Sequence, residues 1–293
     1  MANRRKFAGP TFLGVGPEKT GTTWIHRQLQ SHPDVWLPDV KELRYFWERQ
    51  AFPGEHPFAR LFGGGSWHRR QAKYFAWNRL RHYATHPHEL ITARSQVAWD
   101  WRFLFRRRDD AWYQACFADV NKPVRGEISP QYFMLPDEAI AHAARLVPDA
   151  TILVSLRKPD EWLWSFARMG IRDQVLDEDA ESLDRYVNIM AEAASLSRAL
   201  LRWRAHYPGD RVKVVWYDHL LADPWGFYGE ICDFIGVVPD ASRQSHMAER
   251  VNAGHDEPMP ERFRERVRVA YREDVQSLAQ VVEVPSAWLD QYS

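Results

Sequence analysis

The chain has 293 residues, 45% hydrophobic and 27% charged, with 39 Lys and Arg balancing 39 Asp and Glu. These totals exclude a disordered or fibrous chain and describe a globular one able to bury a sizeable core, expected as one domain over 1–293. Zero net charge gives no global field for nucleic acid or a membrane surface, although a balanced total can hide a local excess.

Read from the start, residues 1–10 are basic but have no apolar core of a leader, and no stretch approaches the roughly 20 apolar residues of a membrane helix. A cytoplasmic protein with no membrane span and no nucleic-acid partner is expected. In "TFLGVGPEKTGTTWIHRQL" the run 11–15 predicts a buried strand and 20–29 a helix. The same order returns with "ATILVSL" before 159–171 and "RVKVVWY" before 223–236. Strands alternating with amphipathic stretches predict an α/β fold, a central parallel sheet flanked by helices, with its binding edge at the strands' C-terminal ends. Further helices are predicted over 136–147 and 182–206, stopped by Pro148 and by the "YPGD" at 207–210. Cys116 and Cys232 are too few and too far apart for a disulfide framework or a metal cluster, and the histidines of "HPH" at His86 and His88 lack partners at metal-site spacing.

Between these elements, 47–121 breaks the pattern. It is dense in aromatics (Trp67, Tyr74, Trp77, Trp99, Trp101, Phe103, Phe105, Trp112), and from Arg60 to Arg108 it carries eleven Arg or Lys against Glu89 and Asp100. Such an insertion is either a lid or acceptor groove that stacks rings and holds anions, or aromatic core with solvated arginines on its surface.

The glycine-bracketed turn between the first strand and helix is an anion site in outline, because backbone N–H groups and the positive end of the helix dipole converge there. Gly16 and Gly21 have the separation of a nucleotide triphosphatase loop. The lysine, however, is Lys19 inside the loop, and Thr22 stands where that loop carries lysine. Gly21 and the hydroxyls of Thr20, Thr22 and Thr23 still suit a phosphate. A tight turn with a solvated lysine is the alternative.

"GPEKTGTTW" resembles the 5′-phosphosulfate loop of sulfotransferases that use 3′-phosphoadenosine 5′-phosphosulfate. "LRKPDEWLWSFARM" resembles that family's 3′-phosphate motif, with Arg157 at a strand end and Ser165 eight residues on. "SHPDVWLPDVKELRYF" is similar to the heparan N- and 3-O-sulfotransferase branch and its soluble bacterial relatives, where the matching glutamate, here Glu42, is the acceptor's base. Without that match, Glu42 reads as a surface carboxylate paired with Lys41 or Arg44. "GEISPQYF" resembles the branch's segment of that kind, except that Ile128 replaces a lysine, so an arginine of the insertion substitutes for it or the acceptor geometry differs. Arg44 departs from a histidine in some members, and "VVWYDHLLADPWGFYGEICDFIG" matches a structural stretch of the family. Arg250 in "ERVNAG" is a further candidate at the nucleotide.

The resemblance implies a P-loop-like sulfotransferase fold and transfer of a sulfuryl group to a hydroxyl or amine of a saccharide or small-molecule acceptor. Adenosine 3′,5′-bisphosphate is the implied product, and Lys19 with the loop dipoles supplies the positive field without a metal. Lys19 and Glu42 are the catalytic candidates; Lys19, Thr20, Gly21, Thr22, Thr23, Arg157, Ser165 and Arg250 are the donor-binding ones. A small-molecule or nucleoside kinase with a variant loop, and a non-catalytic nucleotide-binding relative, remain as alternatives. His26, on the helix behind the loop, reads as a core or surface imidazole.

Overall fold

The computed structural model describes residues 9–118, 120–247 and 258–293. Strands β1 (Phe12–Gly14), β2 (Val35–Trp36), β3 (Val124–Ile128), β4 (Thr151–Leu156) and β5 (Val212–Trp216) form one parallel sheet in the order β2-β3-β1-β4-β5. Period-two alternation divides their side chains between two cores. Phe12, Ile128, Leu153 and Val215 face one, built with α1 (Thr22–Gln30) and, near the chain's end, the helices at Tyr217–Ala222 and Pro224–Ile235. Leu13, Ile152, Val154, Leu156 and Val214 face the other, the larger.

That larger layer holds α2 (Tyr45–Glu48), the insertion helices α3 (Pro57–Phe62), α4 (Trp67–Thr85), α5 (Glu89–Thr92), α6 (Arg94–Phe105) and α7 (Asp110–Ala115), then α8 (Asp137–Leu146) and α9 (Pro159–Arg172). It continues through α10 (Ala180–Ala193) and α11 (Leu196–His206); α12 (Tyr217–Ala222) and α13 (Pro224–Ile235) cover the opposite face, and α14 (Glu261–Ala279) and α15 (Ser286–Tyr292) return to the larger one. Among the described residues no helix is long and apolar enough to cross a membrane.

The helix expected over 182–206 is two helices, not one. Asp274 of α14 accepts from the backbone N–H of Leu196 (2.6 Å) and Ser197 (3.1 Å) and from the Ser195 hydroxyl (2.6 Å), so it satisfies the first amides of α11 and ends α10 at Ala193. The insertion's aromatics divide between core and surface. Trp99, Phe103 and Trp112 are core, whereas Tyr74, Trp77, Trp101 and Phe105 are exposed. Arg60 and Arg108, expected in solvent, are fully buried.

Strand order reverses across β1, whose neighbours β3 and β4 lead to opposite sheet edges, so the crevice beyond the C-terminal end of β1 is the topological binding position. Gly16 is required there. A Cβ on it would lie 2.2 Å from Ser155 Oγ, 2.3 Å from Ser155 O and 2.6 Å from Ser155 N. Gly16→Ala should therefore destabilise by about 1–3 kcal/mol in chemical denaturation, as over-packing does. Since two of the three contacts are backbone, adding Ser155→Ala should not restore stability; full recovery in the double variant would contradict this packing.

Candidate active site

Residues 15–21 carry the chain from β1 to α1 through two left-handed residues, Lys19 (φ 71°) and Gly21 (φ 84°). Helix α1 has Gly21 as N-cap, no side-chain cap and no acidic residue in its first turn. The Thr20 amide closes the turn over residues 18–19, and the amides of residues 21–24 make no hydrogen bond to a described residue, so these stand open where the helix dipole is positive. Among the described residues the Lys19 ammonium has no hydrogen-bond or ion-pair partner. Burial, then the charge of Arg172 and more weakly that of Arg168, pushes its pKa below the usual lysine value against the pull of Glu18. The half-buried ammonium itself is positive charge left unmet among the described residues.

The structure brings α9 to this turn. Trp162 Nε1 donates to Glu18 O at 2.9 Å, and Arg157 Nη1 reaches Lys19 O at 3.4 Å. Arg157 also stacks 4.4 Å from the Tyr217 ring centroid and pairs with Glu161 at 3.4 Å. Ser165 lies one turn further along α9, half-buried, followed on the same helical face by Arg168 and Arg172. Arg157 thus flanks the turn from the β4 side, while no hydrogen bond to a described residue ties Ser165 to it. Arg250 lies outside the described residues.

Hydroxyls of the turn are less available than their number suggested. Thr20 is fully buried, with Oγ1 donating to Pro17 O (2.6 Å) and sharing a 2.8 Å bond with Ser155 Oγ, so its hydroxyl is not available to a ligand. Thr23 Oγ1 accepts from Lys41 Nζ at 2.9 Å. Thr22 has no side-chain hydrogen bond to a described residue.

Glu42 lies on the other side of the turn, tied to it by two chains of contacts. Lys41 Nζ bridges Thr23 Oγ1 to Glu42 Oε1 (3.1 Å), and Arg44 bridges Glu42 Oε2 (2.8 Å) to Glu18 Oε1 (3.5 Å). Its carboxylate is paired with both Lys41 and Arg44, and only 12% of its side chain is exposed. Among the described residues no insertion arginine pairs with Glu42; the cations beside it, Lys41 and Arg44, precede the insertion. Ile128 itself packs over Gly14 and into the α1 core. The insertion contributes through α4 instead: Trp67 lies 3.6 Å beneath the Arg44 guanidinium, and Gln71 donates to Lys41 O at 2.7 Å.

Glu42 (φ 65°) and Arg44 (φ 52°) are both left-handed, so three of the four non-glycine residues with positive φ among the described residues stand at this site. Such geometry costs energy and persists only where surroundings over-determine it. Here they do. Buried Glu127 accepts from Tyr113 OH (2.6 Å), Ser129 Oγ (2.8 Å), Tyr132 OH (3.0 Å) and the Leu43 amide. Ser129 Oγ and Tyr132 OH in turn receive the amides of Arg44 (3.2 Å) and Phe46 (3.3 Å). Burial still outweighs these donors and raises the Glu127 pKa.

A profile described as "Sulfotransferase family" matches residues 10–240. The chain belongs to the sulfotransferase family. The human bifunctional heparan sulfate N-deacetylase/N-sulfotransferase 3 is 25% identical over 248 residues, covering 78% of this chain but 22% of that protein, so the chain spans about a fifth of the relative's length. A sulfotransferase from Alicyclobacillus acidocaldarius has the same fold, with a TM-score of 0.61 at 21% identity over 96% of this chain and 98% of the other. The sulfotransferase domain of the curacin biosynthetic pathway aligns with a TM-score of 0.53 at 15% identity over 88% and 96%. Sequence reasoning passed over Arg168 and Arg172, named Lys41 only as a pairing partner of Glu42, and met Glu127 only inside a quoted motif. The first two were readable from their three- and seven-residue spacing after Ser165; Lys41 and Glu127 needed the fold.

His26 adjoins the same carboxylate, and burial, with help from Lys41 and against the pull of Glu42, lowers its pKa from 6.5 to about 4. The unfolded chain therefore takes up this proton first as pH falls. Stability should be fully present above 6.5 and decline by ~3 kcal/mol as pH drops to about 4. Denaturant melts across that window should show a shallower decline in His26→Gln than in the wild type; equal slopes would place the titration elsewhere.

Proposed function

We propose that the chain moves the sulfuryl group of 3′-phosphoadenosine 5′-phosphosulfate to a hydroxyl or amine of a small-molecule or saccharide acceptor. One observation carries this reading: an ammonium without a described partner, at the tip of a turn whose amides are open, beside a guanidinium that contacts the same turn. These groups fit a donor with two anionic ends. The amides of residues 21–24 bind the 5′-phosphate, while Arg157, with Ser165 on the next helix, binds the 3′-phosphate through a guanidinium suited to bidentate contact.

Lys19 hydrogen-bonds the oxygen between phosphorus and sulfur. The acceptor's oxygen or nitrogen forms a bond to sulfur as the bond from sulfur to that oxygen breaks, and the electron pair leaves on the 5′-phosphate of adenosine 3′,5′-bisphosphate. Lys19 stabilises the charge that develops there. Glu42 accepts the acceptor's proton, within about 3 Å in the productive pose. Lys41 and Arg44 hold Glu42 toward the donor turn, and Lys41, already bonded to Thr23, adds a second cation at the transferring group. Trp67 and Gln71 of α4 contact this segment, which supports an acceptor-side role for the insertion.

Turnover with labelled donor and an acceptor panel, read by mass shift, tests the activity. Lys19→Ala should lose about 2.7–4 kcal/mol of barrier lowering, the size of one preorganised donor, and wild-type turnover in that variant would end the proposal. Glu42→Gln should remove turnover at saturating substrate while leaving bisphosphate affinity intact; retained turnover would exclude Glu42 as the proton acceptor. Arg157→Ala should act on bisphosphate affinity, and an unchanged titration would sink its assignment.

A further inference from the structure

Away from the sulfuryl-transfer site, and independent of that reading, the insertion buries two guanidiniums side by side. Arg60 of α3 is 1% exposed and Arg108, just after α6, is 2% exposed. Arg60 Nη2 donates to Leu104 O (2.9 Å) and Arg106 O (2.5 Å), but its Nε and Nη1 are buried without a partner. Arg108 Nη2 donates to Leu43 O (2.8 Å), and its Nη1 is likewise buried and unpartnered.

Neither forms an ion pair with a described carboxylate. The nearest acids are committed elsewhere: Glu48 to His68 Nδ1 (2.9 Å), and Glu55 to His68 Nε2 (2.7 Å) and Arg69 Nε (2.6 Å). The Trp112 ring, 5.4 Å from Arg60 and 5.3 Å from Arg108, offsets part of the charge by a cation–π contact. It cannot accept the remaining N–H groups in their own planes. Both guanidiniums stay charged at ordinary pH; Glu55 pulls on both and Glu48 on Arg108 without touching them, and with Arg69 counted the two carboxylates leave this cluster one positive charge in excess, a costly state for buried groups.

Both also line one small closed cavity, with His68, Gln71, Phe103 and Trp112 on its other sides. It offers about 10 Å³ to the centre of a water-sized particle, room for one small particle and not for sulfate or phosphate. We propose that Arg60 and Arg108 together bind a single halide ion in this cavity. A halide neutralises one of the two charges and accepts several N–H bonds at once, whereas a water would meet the hydrogen bonds and leave both charges. Val40 and Leu43 complete the lining, and Arg108 holds Leu43 O, so the ion lies under the segment that carries Glu42.

Crystals of the full chain grown in bromide should give an anomalous peak in the cavity within hydrogen-bonding distance of both guanidiniums. At constant ionic strength, saturating chloride in place of gluconate should raise Tm by about 2–4 °C, and Arg108→Met should abolish that dependence. A cavity holding only ordered water, without an anomalous peak, overturns the proposal whatever the melting data. A peak with identical melting in the two salts means an adventitious ion only, and overturns it equally. Should Arg108→Met fail to fold, the wild-type map and the wild-type salt comparison decide between these outcomes.

Discussion

The contact between the β1–α1 turn and the end of β4 governs the geometry of the candidate site. Gly16 lets the turn touch the Ser155 backbone, and the Thr20 to Ser155 hydroxyl bond closes the contact from the other side. Two residues beyond Ser155 stands Arg157. One close approach therefore sets the separation of the two proposed anion positions, the open amides of the turn and the guanidinium after β4. A side chain at residue 16 would push these apart, and no rotamer change elsewhere could restore them, because the obstacle is main chain. The left-handed backbone at Lys19 follows from the same turn and lifts the ammonium away from the helix start, where a nucleotide triphosphatase loop carries its lysine.

A second constraint operates across the crevice. Glu42 and Arg44 sit in left-handed backbone that an isolated peptide would abandon, and the fold holds it through buried Glu127, Ser129, Tyr132 and Arg108. Glu127, Ser129 and Tyr132 bond one another and the backbone, and a buried network of that kind rigidifies what it touches. The carboxylate at Glu42 is held between cations that themselves grip the donor turn, so the two halves of the proposed reaction centre are joined by ion pairs through partly exposed side chains. Such links adjust when ligands arrive, while the backbone beneath them does not.

Much of the fold was legible because parallel strands and their crossover helices leave strong periodic marks. The turn at 16–21, the strand before Arg157 and the α9 face carrying Ser165 were all visible in spacing. What escaped detection depends on partners distant in sequence. Asp274 breaks the 182–206 stretch from 78 positions away, at Leu196. The Thr20 hydroxyl is consumed by Ser155, 135 positions on, which no local pattern signals. Arg60 and Arg108 read as surface charge because arginine usually is, and only the assembled aromatic layer of Phe103 and Trp112 encloses them. Ile128 was noticed as a missing lysine, yet its role is to fill the space above Gly14.

The turn's unmet positive charge should recognise a ligand by two phosphates on one nucleoside rather than by a triphosphate and its metal. Calorimetric titration with adenosine 3′,5′-bisphosphate and, separately, with ATP and magnesium measures that difference directly. The account predicts saturable binding of the bisphosphate, unaffected by chelator, and much weaker binding of ATP. Tight, magnesium-dependent ATP binding without uptake of the bisphosphate would contradict it.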